Sequence, residues 1–133
     1  MLGLFKKKKD VTKAKILVVD DEKDLVSTVE YRLKFSNCQV VTANNGQEGL
    51  EKAASEKPDL ILLDTSMPVM NGHEMLKQLR ANAALKHIPV IMLTAISSPQ
   101  DIAAASAYGI TDYVTKPFDF TELMAKVENA LKG

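Results

Sequence analysis

Four stretches of this 133-residue chain carry polar side chains that could act together: Asp20-Asp21, Asp64, Thr94 and Lys116-Pro117. Each follows a short run of mostly branched apolar residues: Lys15-Ile16-Leu17-Val18-Val19, Leu60-Ile61-Leu62-Leu63, Val90-Ile91-Met92-Leu93 and Asp112-Tyr113-Val114-Thr115. Continuous apolar runs fit strands buried on both faces of a parallel sheet. In an open α/β sheet, ligands bind beyond the carboxyl ends of the strands, so these residues should meet in one crevice. Three carboxylates would then lie beside one hydroxyl and one ammonium. At an effective dielectric near 20, each pair of carboxylates at 4 Å costs about 4 kcal/mol. They stay ionised only if a cation shares the crevice, and the candidates are Lys116 and a divalent metal. Oxygen ligands select a hard ion, Mg²⁺, Mn²⁺ or Ca²⁺. A site with few protein ligands and room for phosphate oxygens suits Mg²⁺ best, with Mn²⁺ as the alternative. A single Asp at a strand end can instead be a helix N-cap, but that reading does not explain the whole set.

Positioning these groups requires a regular frame. A fifth apolar run covers residues 39–42 and ends in the bland Thr42-Ala43-Asn44. Helical spacing predicts helices over 22–35, 46–55, 73–82, 99–108 and 120–131; in the first, Leu25, Val29 and Leu33 fall on one face. Ser98 is a candidate N-cap, followed by Pro99 at the first helical position and by Asp101. Gly109 is a natural stop, and Asp119 and Glu122 have capping-box spacing. Strict alternation implies right-handed βαβ units: an α/β, doubly wound (βα)5 fold with a five-stranded parallel sheet. Its size suggests strand order 2-1-3-4-5, which makes strands 1 and 3 neighbours where the order reverses.

With these motifs in place, residues 13–132 resemble the CheY-like receiver domain of bacterial two-component response regulators. The resemblance rests on the stretches Ile16 to Glu22, Asp59 to Gly72, Val90 to Ala95 and Asp112 to Phe118. It implies that Asp64 accepts a phosphoryl group from a sensor histidine kinase or phosphotransfer protein. It implies Mg²⁺ bound directly by Asp21 and Asp64, through water by Asp20, and by the Ser66 backbone carbonyl. Thr94 and Lys116 would contact the phosphoryl oxygens. The Lys116–Pro117 peptide would be cis. Thr94 and Tyr113 would form a switch pair acting on the surface of helix 4, strand 5 and helix 5, where an unidentified downstream protein docks. Ser66 and Ile96 would tune the phosphoryl lifetime. No turnover of an external substrate is expected.

Charge and composition narrow the alternatives. The chain is formally neutral, with 17 basic and 17 acidic residues, yet the charge is unevenly spread. Residues 1–15 hold six Lys and one acid; the remainder holds eleven bases and sixteen acids. Residues 1–12 are expected to form a flexible basic arm on a mildly acidic receiver domain, 13–133. An acidic body disfavours direct nucleic-acid binding. The arm, with Leu2, Leu4 and Phe5 beside Lys6 to Lys9, suggests weak association with an anionic membrane. Cys38 is alone, and no apolar run approaches the roughly 20 residues of a membrane span, which together fit a cytoplasmic protein. His73 and His87 match no metal-ligand spacing and read as surface or loop residues. A haloacid-dehalogenase-type phosphatase would want an Asp where Ser66 stands. A flavodoxin-like flavin carrier would want a Gly- and hydroxyl-rich loop in place of Asp20-Asp21-Glu22. A pseudo-receiver that only docks partners is disfavoured by the intact polar set. A single-domain regulator without an output domain is the expected architecture.

Overall fold

A computed structural model describes residues 14–95 and 99–132. The arm over 1–12, the proposed cap Ser98 and Ile96, expected to tune the phosphoryl lifetime, lie outside them. Five strands, β1 (Lys15–Val19), β2 (Gln39–Ala43), β3 (Leu60–Asp64), β4 (Val90–Thr94) and β5 (Asp112–Thr115), alternate with five helices. These are α1 (Lys23–Phe35), α2 (Gly46–Glu56), α3 (Gly72–Ala81), α4 (Pro99–Ser106) and α5 (Phe120–Lys132). All strand pairs are parallel, in order β2-β1-β3-β4-β5, as the alternation implied.

The apolar runs are continuous because helices cover both faces of the sheet. Successive strand side chains point to opposite faces. Ile16, Val18, Leu60, Leu62, Ile91, Leu93 and Val114 pack against Val29 and Leu33 of α1 and Leu123 and Val127 of α5. Leu17, Val19, Ile61, Leu63 and Met92 pack on the other face against Met75, Leu76 and Leu79 of α3 and Ala53 of α2. Strands β3 and β4 are buried along their whole length, whereas the edge strand β2 is largely half-exposed. Cys38 is buried as a small apolar residue, as expected.

Asp64 and Thr94 end β3 and β4, as expected, because the ladder runs on to them: Asp64 pairs with Leu93 and Thr94 with Thr115. Helix α4 ends two residues early, in a tight turn closed by Tyr108 N–H to Ala105 O (3.0 Å) and Gly109 N–H to Ser106 O (2.9 Å). Gly109 takes φ +78° there, a left-handed conformation that glycine adopts without steric cost. Helix α5 is capped as its spacing foretold, with Glu122 N–H donating to Asp119 Oδ1 at 2.7 Å.

Candidate functional site

The parallel ladder brings the ends of β1, β3, β4 and β5 together on one rim. Asp20 directly follows β1, its N–H donating to Ala43 O at 3.1 Å. Its Oδ1 accepts from Glu22 N–H at 3.0 Å, which turns the chain toward α1. Lys116 follows β5 and donates its N–H to Thr94 O at 2.7 Å. The Lys116–Pro117 peptide is cis. The loop after β3 is held close: Gly72 N–H donates to Thr65 O (3.1 Å), and a Cβ at Gly72 would come within 2.0 Å of Asp64 O. Only glycine permits that approach of α3 to the strand end.

The result is an open crevice of about 390 Å³ lined by Asp21, Asp64, Ser66, Thr94 and Lys116. Asp20 and Asp64 are buried and Asp21 is exposed. One carboxylate oxygen from each of the three lies within 4.8 Å of the others. Lys116 Nζ is 2.8 Å from Asp20 Oδ2, 2.7 Å from Glu22 Oε1 and 3.3 Å from Asp64 Oδ1. Burial, and then the charge of Asp20, push the Asp64 carboxyl up to about 6, although Lys116 and the Ser66 backbone hold it down. Burial alone would lower the Lys116 ammonium. The short contacts to Asp20 and Glu22, and the charges of Asp20 and Asp64, outweigh it and raise the ammonium instead. One ammonium thus serves three crowded carboxylates, and a hard divalent cation suits the remaining charge. Asp20 Oδ2 is fully buried and, although ion-paired to Lys116, makes no well-aligned hydrogen bond. The donor set therefore fits Mg²⁺.

Thr94 is buried at the end of β4, with its Oγ1 3.5 Å from Thr65 Oγ1. Tyr113 on β5 is half-buried and borders a narrow void with Thr65, Thr94, Ile102 and Ile110. Lys126 Nζ lies 5.5 Å from the Tyr113 ring centroid and donates to Tyr113 O at 2.7 Å.

Two titratable crevice residues escaped the sequence reading. Glu22, next to the Asp pair, reaches Lys116. His73, set aside as a surface or loop residue, is half-buried on the first turn of α3 and lines the crevice. The signal for it was position: helix N-termini in this architecture start at the same rim as the strand ends. His87 is exposed in the loop before β4, as expected. The loop after β3 also holds an unexpected conformation. Val69 has φ +69° and is 84% exposed, an unfavourable backbone for a β-branched residue.

Residues 16–128 match the family model of the response regulator receiver domain. The chain belongs to that family. It is 44% identical over 118 residues to the alkaline phosphatase synthesis transcriptional regulatory protein PhoP of Bacillus subtilis, covering 89% of this chain and 48% of PhoP. It is 40% identical over 117 residues to the response regulator ArlR of Staphylococcus aureus, covering 88% of this chain and 52% of ArlR. The receiver chain thus spans about half the length of the curated relatives it matches. Its fold superposes on the chemotaxis protein CheY4 of Vibrio cholerae with TM-score 0.85 at 35% identity, covering 90% of this chain and 99% of CheY4. It superposes on the receiver domain of the Francisella response regulator 1452 with TM-score 0.83 at 31% identity, covering 90% and 98%. Among the described residues no helix is long and apolar enough to cross a membrane.

Proposed function

We propose that this receiver is a Mg²⁺-dependent phosphorylation switch in which Asp64 accepts the phosphoryl group. The supporting observation is the Asp64 carboxylate itself: at the end of a central strand, 3.3 Å from Lys116 Nζ, and clustered with Asp20 and Asp21. A carboxylate oxygen of Asp64 attacks the phosphorus of a phosphohistidine on a sensor kinase or phosphotransfer protein. The P–O bond forms as the P–N bond breaks, and the imidazole nitrogen keeps the electron pair. Asp20, Asp21, Asp64 and the Ser66 carbonyl would hold Mg²⁺, which when bound neutralises charge on the phosphoryl oxygens. Lys116 supplies the second positive charge to those oxygens, and Thr94 donates its hydroxyl. Drawing Thr94 toward Asp64 enlarges the void beside Tyr113, so the ring turns inward and the α4–β5–α5 surface changes its affinity for a downstream protein. The chain turns over no external substrate, and the Ser66 side chain and Ile96 set the phosphoryl lifetime.

The test is incubation with Mg²⁺ and acetyl phosphate, followed by peptide mass spectrometry. One alkali-labile acyl phosphate is expected on the peptide holding Asp64. It should be absent with EDTA and absent from Asp64→Asn, which keeps the fold. Persistent labelling of Asp64→Asn at another aspartate refutes the assignment.

A further inference from the structure

Lys116 has three N–H bonds on its ammonium, and three carboxylates surround it. Asp20 Oδ2 is at 2.8 Å, Glu22 Oε1 at 2.7 Å and Asp64 Oδ1 at 3.3 Å. Their surroundings differ sharply. The side chains of Asp20 and Asp64 are 0% and 6% exposed, whereas that of Glu22 is 60% exposed. Glu22 also occupies the N-cap position of α1 yet makes no side-chain capping bond. Its carboxylate reaches across the crevice to Lys116 instead.

A phosphoryl group on Asp64 removes that carboxylate's own charge and brings new oxygens to Lys116, which then compete with Asp20 and Glu22 for the ammonium. Leaving a buried carboxylate unpaired is costly, while an exposed one simply returns to water. Glu22 alone can leave cheaply. We propose that Glu22 is an exchangeable partner of Lys116: a positioning residue that holds the ammonium until an incoming phosphoryl oxygen displaces it, and that thereby slows phosphorylation of Asp64. The inference rests on Asp64 being the phosphoacceptor. In the assay below the P–O bond to Asp64 forms, the P–O bond to acetate breaks, and acetate leaves with the electron pair. Glu22 changes no covalent bond.

The experiment is the initial rate of Asp64 labelling by acetyl phosphate, at saturating Mg²⁺ and low ionic strength. It compares the wild-type chain with Glu22→Gln and with Asp24→Asn. Asp24 lies in the first turn of α1, so Asp24→Asn removes one neighbouring negative charge while leaving the Glu22–Lys116 pair in place. Glu22→Gln should label about two- to fivefold faster, the range an exposed ion pair can supply. The gain should shrink as salt screens the pair. The affinity for beryllofluoride, a phosphoryl mimic that needs no phosphodonor, should tighten by a similar factor. Asp24→Asn should match the wild type. A Glu22→Gln rate at or below wild type, or an equal gain in Asp24→Asn, overturns the inference while leaving the Asp64 assignment intact. Absence of label on wild-type Asp64 overturns that assignment and this inference with it.

Discussion

The two ends of the sheet treat charge in opposite ways. At the amino end, charged groups are matched to fixed partners. Lys15 N–H donates to Asp59 Oδ2 at 2.8 Å, and its ammonium reaches both Glu56 O and Glu56 Oε1. Arg80 places its guanidinium among four backbone carbonyls, those of Lys86, Ile88, Tyr108 and Gly109, at 2.7–3.0 Å. It thereby ties α3 to the segments that enter β4 and β5. At the carboxyl end, Asp20, Glu22 and Asp64 share the Lys116 ammonium while Asp21 crowds the same cluster, and the Asp64 carboxyl is pushed up to about 6. One end satisfies its polar groups and stabilises the fold. The other retains a charge imbalance that a cation or a change of bonding partner must relieve, which is the arrangement expected of a working site.

This contrast is most sharply tested at Arg80. Arg80→Ala strands several carbonyls and unties two loops, and hydrogen bonds to charged groups are among the stronger ones. A loss of about 3 kcal/mol in urea unfolding is expected. Labelling at Asp64, at the other end of the sheet, should proceed at the wild-type rate under native conditions. A large loss of labelling in the folded variant would mean that the two ends are coupled.

At the crevice the expected sign is reversed. A folded-state value near 6 for Asp64 lies above its ordinary 3.8, so the folded chain binds more protons than the unfolded chain between those values. Its contribution to stability therefore falls as pH rises from about 4 to 6, and the full penalty is present above that. In metal-free buffer near pH 7.5, Asp64→Asn should be about 2 kcal/mol more stable than wild type. The difference should disappear near pH 4. Mg²⁺ should stabilise the wild type and have much less effect on the variant. A mutant less stable than wild type in EDTA would show that the Lys116–Asp64 pair outweighs burial.

The same contrast explains what was legible in the sequence. Strand ends that carry Asp64, Thr94 and Lys116 can be read because each interrupts an apolar run, and burial on both faces makes those runs continuous. The order of the strands followed from the alternation of elements and the size of the chain. Glu22 and His73 were missed because their role is spatial. Neither breaks a pattern, and each enters the crevice only through the direction of its helix. Arg80 was invisible for a related reason. Its four partners are backbone carbonyls, which leave no mark in residue type. The positive φ at Val69 likewise belongs to a three-residue turn closed by Met70 N–H donating to Pro68 O at 2.7 Å, not to anything a valine signals.

The smallest effect separates matched charge from needed charge. Lys15 and Glu56 form an ion pair of 3.1 Å at the amino end, with side chains 30% and 39% exposed. Such a pair gains little, because water screens it and ordering two long side chains costs entropy. Glu56→Gln keeps an acceptor on the side chain, and Lys15 Nζ keeps its bond to Glu56 O at 3.2 Å. The expected loss is no more than about 0.5 kcal/mol in urea unfolding, fading with added salt. A loss several times larger would mean that charge is as critical at the amino end as in the crevice. The distinction between the two ends would then rest on geometry alone.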